Sequence, residues 1–219
     1  MIQAVQRVER SIRERNTTDV SLINFWLYLF LLSWLTFGIY PIILFFKRIG
    51  RIDKFILRKR DYYESVIDYT EKYAREKNKY EECHSQIQDL KNLYQDKFTG
   101  EIKEIKAGIS FLLTIITFGI WGLVVLYKEN KVWDELQRFE QEFDDKLSQV
   151  WNRLDLIKYP LNFNIDQKKT RNFVLYLVLS VITFGIWGIV WQYKIHTDPD
   201  NIYKEFHSVE DTVLNTVRQ

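Results

Sequence analysis

The chain has 219 residues, of which 47% are hydrophobic and 27% are charged, with a formal net charge of +2 at pH 7. Eight glycines and three prolines are too few turn-formers for an ordinary β or α/β domain, so long helices are expected. The near-neutral charge argues against a nucleic-acid partner, and a single cysteine, Cys83, excludes an intramolecular disulfide framework.

Apolar and charged residues alternate in seven blocks along the chain. In order, we expect an amphipathic helix at 1–19, a membrane segment at 20–46, a long heptad-patterned helix at 47–106, a second membrane segment at 107–127, an amphipathic helix and turn at 128–171, a third membrane segment at 172–193 and a C-terminal amphipathic helix at 194–219. The charged N-terminal stretch does not have the layout of a signal peptide, so we expect it to be kept. The predicted fold is an all-α integral membrane protein.

The three apolar segments are copies of one motif, Thr-Phe-Gly-Ile-aromatic, found at 36–40, 117–121 and 183–187. Counted from the glycine of each copy, position +8 is aromatic, position +9 is lysine and position +15 is aspartate. So many aligned positions in three places indicate an internal repeat.

Two structural interpretations of each apolar segment are compatible with its sequence. Each is long enough to cross the bilayer once as a single helix. Alternatively, each forms a hairpin of two short arms that meet at Thr-Phe-Gly and dip into one leaflet. Glycine suits a left-handed helix end, threonine suits a cap, and proline suits an early helical position. The predicted membrane-turn residues are therefore Thr36, Gly38, Pro41, Thr117, Gly119, Gly122, Thr183, Gly185 and Gly188.

Basic residues flank both ends of the apolar segments, among them Lys168, Lys169 and Arg171 before the third. Hairpins would place all of these flanks on one side, as the positive-inside rule requires, so this pattern favours the hairpin reading. Aromatic and lysine side chains close each segment and are expected to anchor it at the membrane interface. These anchoring residues are Phe46, Lys47, Tyr127, Lys128, Trp191, Tyr193 and Lys194.

The third copy resembles the segments of an uncharacterised family of small bacterial membrane proteins, which carry a T-x-G-I-Y/W-G-x-x-W-x-Y-K pattern. The resemblance covers the three copies. The first copy departs most, with Pro41 in place of the second glycine. The resemblance implies membrane insertion and a bacterial origin, and it implies no activity.

The helix between the first two segments has apolar positions at alternating steps of three and four, which is typical of a heptad seam. The predicted assembly seam consists of Val66, Tyr69, Tyr73, Tyr80, Ile87, Leu90 and Tyr94. It can pack within one protomer as an antiparallel bundle or between protomers, and the second arrangement would give a homo-oligomer.

No pattern of catalytic residues or metal ligands is present in the sequence, so we expect no enzymatic activity, no cofactor, no metal and no small-molecule substrate. The leading hypothesis is a self-assembling protein that shapes or scaffolds a bacterial inner or intracellular membrane. Its partners would be the lipid bilayer, including anionic lipids, and further copies of itself, with its helices on the cytoplasmic side. The alternatives are an oligomeric three-span channel or membrane-perturbing effector, and an anchor that recruits a partner through the long helix.

Overall fold

The computed structural model describes residues 1–163 and 172–219, and their regular structure is entirely helical. The basic flank predicted at Lys168, Lys169 and Arg171 lies outside these residues. The α-helices are α1 (Ile2–Arg13), α2 (Arg15–Thr18), α3 (Ser33–Leu35), α4 (Ile39–Glu76), α5 (Tyr80–Leu93), α6 (Ala107–Ile116), α7 (Ile120–Arg153), α8 (Phe173–Ile182) and α9 (Ile186–Val217), with π-helical turns at Leu27–Leu32 and Tyr94–Thr99.

Each apolar segment is divided at Thr-Phe-Gly into a short first arm and the start of a long helix. The first arm is the π-helical turn with α3, then α6, then α8, and the long helices are α4, α7 and α9. Among the described residues, no helix is both long enough and apolar enough to cross a membrane. The prediction of an integral membrane protein with transmembrane helices is therefore wrong, whereas the all-helical prediction is confirmed.

The three long helices run parallel and in register. Hydrogen bonds join α4 to α7 between residues that are 81 positions apart, which is also the separation of Gly38 from Gly119. Two of these bonds are Arg48 to Glu129 and Lys59 to Glu140. On the other side of α4, Arg48 bonds to Gln192 of α9, and Lys59 also pairs with Glu210. Because the pairs advance together along all three helices, the three copies start at the same end of the molecule.

Large side chains fill the space between the long helices, mostly at heptad-spaced positions, as in a three-stranded coiled coil. One layer contains the rings of Phe55, Trp133 and Tyr203, whose centroids lie 5.0 to 5.6 Å apart. Further along, the Trp151 indole donates a 2.8 Å hydrogen bond to the Thr70 hydroxyl. The core thus extends along the long helices, away from the tips.

The expected long helix at 47–106 is instead two antiparallel helices. Asn78 adopts φ 56°, and the backbone amides of Asn78 and Lys79 bond back to Arg75 and Ala74, closing the end of α4. Asparagine tolerates this left-handed conformation better than most residues, so one residue reverses the chain without glycine or proline. After the turn, α5 packs on α7 and α4, while α1 packs on α4.

The predicted assembly seam lies inside this bundle. Val66, Tyr69, Ile87, Leu90 and Tyr94 are buried, and Tyr73 and Tyr80 pack against the same core. The seam therefore joins α4 and α5 to the rest of one chain, which is the within-protomer arrangement. Five of its seven side chains are therefore covered within the chain.

Candidate functional site

The three turns share one backbone geometry. Gly38, Gly119 and Gly185 have φ of 85°, 92° and 90°, a region that side-chain-bearing residues rarely adopt. Each glycine amide donates a 2.8 Å hydrogen bond to the carbonyl five residues earlier. The preceding phenylalanine amide bonds three residues back, which completes a Schellman motif. Each first arm is therefore capped as it ends.

The threonine of each turn links the two arms. The Thr117 hydroxyl donates to the Leu113 carbonyl at 2.7 Å and accepts from the Trp121 amide at 2.9 Å. Thr36 and Thr183 make the corresponding pairs of bonds. One side chain thus completes the end of the first helix and caps the second.

The phenylalanine of each turn is exposed and conformationally unfavourable. Phe37, Phe118 and Phe184 have φ of 49°, 49° and 51° and are 97%, 98% and 98% exposed. The left-handed conformation costs an ordinary residue about 1 to 2 kcal/mol. Because these rings are almost fully exposed, packing within the chain does not offset the cost. Strain of this kind at an exposed position directs attention to a binding role.

Exposed apolar side chains are concentrated on the hairpins. Apart from Ile2, Leu57 and Tyr159, the large hydrophobic residues exposed among the described residues all lie in the segments 20–46, 107–127 and 172–193. Apolar surface of this extent marks a contact with a partner protein, a membrane or a ligand. We refer to the three Thr-Phe-Gly turns and the apolar arms beside them as the tips.

Lysines mark the lower boundary of the tips. Lys47, Lys128 and Lys194 each lie nine residues after the glycine, which is about 13 Å along a helix. Because the long helices are in register, the three lysines lie at one level. The hydrocarbon core of a bilayer is about 30 Å thick, so the tips match the depth of one leaflet.

Hydroxyl groups within the arms are satisfied by the backbone of their own arm. Ser33, Thr114 and Ser180, which stand five residues before the glycines, donate to carbonyls of Tyr28, Ser110 and Tyr176 at 2.7 Å. Gly122 and Gly188 face these hydroxyl residues across the hairpin, where an added Cβ would lie 3.4 to 3.5 Å from a side-chain atom. The small residues let the arms approach closely.

Aromatic contacts hold the bases of the hairpins together. Phe46 meets Phe111 between the first and second hairpins, Tyr127 meets Phe173 between the second and third, and Trp26 stacks on Tyr193 between the first and third. The ring centroids lie 4.9 to 5.6 Å apart. The tips are therefore fixed relative to one another.

A buried polar group lies below these ring contacts. Arg48 donates to the Glu129 carboxylate at 2.9 Å and to the Gln192 side-chain carbonyl at 3.0 Å, so one residue from each long helix takes part. Sequence reasoning missed this group. The signal was available, because Arg48 and Glu129 both occupy position +10 of their copies.

A second buried charge cluster lies further from the tips. Lys59 bonds to Glu140 at 2.8 Å and to Glu210 at 3.2 Å, and the Tyr63 hydroxyl also donates to Glu140. Burial raises the pKa of Glu140, and the charge of Lys59 opposes that rise. Burial and then the charge of Glu140 raise the pKa of Asp144 well above its usual range. Neither carboxylate oxygen of Asp144 has a hydrogen-bond partner among the described residues.

Most predicted site residues lie at the tips or at their boundary. The turn residues form the hairpin ends, with Pro41 in the first turn of α4. Of the predicted anchors, Lys47, Tyr127, Lys128 and Tyr193 are exposed, while Phe46 and Lys194 are half-buried. Trp191 differs from the expectation, since it is 2% exposed and packs with Leu126 and Ile195 between hairpins.

No group of three or more His, Cys, Asp or Glu side chains in 1–163 and 172–219 is arranged to hold a metal ion. The structure thus defines an all-helical protein whose three short apolar hairpins project from one end of a parallel helical bundle.

A family model described as "Domain of unknown function (DUF4234)" matches residues 171–216, which include the third tip and most of α9. No curated protein and no solved structure matches the chain. The matched stretch is less than half of the chain, and its description assigns no activity.

Proposed function

We propose that this protein is a non-enzymatic scaffold that docks on one face of a membrane by inserting its three tips into one leaflet. The observation that carries the proposal is the set of three strained, almost fully exposed phenylalanines at one end of the molecule. An apolar phase would remove each ring from water, a gain of about 1.5 to 3 kcal/mol per side chain.

The chemistry of the arms supports insertion to the depth of one leaflet. Their hydroxyl groups bond to their own backbone and therefore need no water. The segment from each glycine to position +8 contains no charged residue and extends about 12 Å. Such a segment is long enough to enter one leaflet and too short to cross both.

Lysines at position +9 support a preference for anionic headgroups. Lys47, Lys128 and Lys194 would lie where phosphates are found, and each contributes about 1 kcal/mol near an anionic surface. Three rigidly spaced wedges in one leaflet would also expand that leaflet relative to the other and so bend the membrane. This shaping step does not depend on the predicted seam, which is buried within the chain.

The decisive experiment replaces Phe37, Phe118 and Phe184 together with aspartate and measures flotation with vesicles of phosphatidylcholine and phosphatidylglycerol. We expect the wild-type protein to float with the vesicles and the variant to remain behind.

The matched control places aspartate at Ile2, Leu57 and Tyr159, three exposed hydrophobic residues outside the tips. This variant should bind as wild type does. If both variants lose binding equally, or if the wild-type protein does not bind vesicles, the tips do not dock on membranes.

A second experiment tests the role of the lysines. Replacing Lys47, Lys128 and Lys194 with glutamine should weaken binding to vesicles that contain phosphatidylglycerol and leave binding to pure phosphatidylcholine unchanged. The control removes three lysines at the opposite end of the bundle, Lys72, Lys77 and Lys158.

Electron microscopy of the same vesicles, with a dye-leakage assay, tests bending: tubules without leakage are expected.

A further inference from the structure

A cleft of about 420 Å³ lies between the first and second hairpins. Its walls are apolar side chains from both hairpins, including Pro41, Ile42, Phe46, Phe111 and Ile115. The volume is within the range of pockets that bind small ligands, roughly 300 to 1,000 Å³. The cleft lies among the tips and is continuous with the apolar surface that the proposed function places in the leaflet.

The three junctions between hairpins are filled differently. Between the first and third hairpins, Phe25 and Trp26 both contact Tyr193, with ring centroids 5.3 and 5.6 Å apart. Between the second and third, Phe173 contacts Tyr127, and Trp191 of the third packs against Leu126 of the second. At the first and second hairpins, Phe46 and Phe111 form a single ring contact, and the cleft lies beside it.

Most polar groups that line the cleft are already bonded within the chain. The Arg48 guanidinium is held by Glu129 and Gln192, and the Thr114 hydroxyl donates to the Ser110 carbonyl. The Tyr28 hydroxyl is different, because it has no hydrogen-bond partner in the part of the chain that the structure describes. The cleft therefore offers mostly apolar walls and a tyrosine hydroxyl that can donate a hydrogen bond, which suits a ligand that is mostly hydrocarbon.

We propose that this cleft binds one acyl chain of a phospholipid, with the Tyr28 hydroxyl donating a hydrogen bond to the ester carbonyl at the head of that chain. The proposal rests on the proposed function, because inserted tips would bring the cleft among acyl chains. The next charged residue along α4, Lys47, lies at the level expected for the phosphate. A ligand with many polar groups would meet mostly apolar walls there, whereas a single ester group needs only one donor.

The test uses dihexanoylphosphatidylcholine below its micellar concentration, which supplies acyl chains without a bilayer. Titration calorimetry should show saturable binding of one lipid per chain. Ile115→Trp should fill the cleft and weaken binding at least tenfold. Val181→Trp is the matched control, because both residues stand four positions before their glycine and are 58% and 71% exposed. The control should bind as wild type does.

Tyr28→Phe keeps the ring and removes the donor, so it should weaken binding roughly fivefold, the effect of losing one hydrogen bond. Thermal unfolding checks that all variants fold.

Absence of saturable binding, or wild-type affinity in Ile115→Trp, would overturn the cleft proposal whatever the vesicle experiment shows. If the short-chain lipid binds as expected and vesicles do not bind, the cleft proposal stands and membrane docking fails.

Discussion

Replacing the three tip phenylalanines with glycine should change stability and membrane binding in opposite directions. Glycine adopts the left-handed conformation without the steric cost that Phe37, Phe118 and Phe184 carry. The same substitution removes the rings that, under the proposed function, enter the leaflet. Substitution at these three residues therefore distinguishes the effect on stability from the effect on membrane binding.

The size of the stability change follows from two terms. Relief of the left-handed conformation contributes about 1 to 2 kcal/mol per residue, and the greater freedom of glycine in the unfolded chain offsets about 0.5 to 1 kcal/mol. The rings are almost fully exposed, so little packing is lost. A net gain of about 0.5 kcal/mol per tip, or about 1.5 kcal/mol for three, corresponds to a rise in Tm of roughly 3 to 6 °C.

Membrane binding should fall far more steeply. Three phenylalanines at about 1.5 kcal/mol each amount to about 4.5 kcal/mol, which is roughly a thousandfold in the partition coefficient. Differential scanning calorimetry measures the first effect, and vesicle titration by tryptophan fluorescence measures the second.

Asn78→Gly is the control for this pair of measurements. Asn78 has the same backbone conformation at the far end of α4, with φ 56°. Its replacement should leave vesicle binding unchanged and add a smaller gain in Tm, since asparagine tolerates the conformation. A triple glycine variant that is less stable than wild type, or that binds vesicles equally well, would refute the reasoning.

Three further predictions concern stability and are read from urea unfolding followed by circular dichroism. Lys59→Met removes a cation bonded to two buried carboxylates and should cost about 3 to 5 kcal/mol at pH 7, whereas Lys72→Met on the exposed face of the same helix should cost less than about 0.5 kcal/mol. Burial raises the pKa of Asp144 in the folded protein, so folding is penalised once the pH exceeds the ordinary pKa of an aspartate. Asp144→Asn should therefore gain stability relative to wild type as the pH rises from about 4, and a difference that stays constant with pH would contradict this. Gly119→Ala should cost about 1 to 2 kcal/mol through its positive φ alone, because nothing lies within 4 Å of the added Cβ, while Gly108→Ala in the helix of the same hairpin should be neutral or stabilising.

The repeat and the local chemistry of its turns can be found in the sequence. Thr117 and Gly119 were expected to cap and to turn, and the structure has the corresponding hydrogen bonds and a positive φ. The transmembrane prediction failed because hydropathy adds up apolar residues without regard to backbone direction. A segment that is uncharged throughout looks like one long helix, yet Phe118 and Gly119 divide it into a short arm and the start of a long helix, at the point where the hairpin interpretation placed the turn.

The packing of the helices on one another could not be predicted from the sequence. The heptad seam containing Val66 and Ile87 was recognised, but the same pattern suits packing within or between chains. The break at Asn78 carries no glycine or proline to signal it. Lys59 and Glu140 share position +21 of their copies, but this match predicts a contact only once the copies are known to lie side by side, which follows from the packing of the whole core.

The in-register bundle resembles a trimer of helices, but one polypeptide forms all three. The three tips therefore always occur together in one molecule, and dilution cannot separate them. A trimer of identical chains would place the same residue three times in each layer, whereas this chain places Lys59, Glu140 and Phe206 at position +21 of its three copies. Covalent linkage therefore allows a layer to hold opposite charges, and each repeat can diverge in sequence without losing its neighbours.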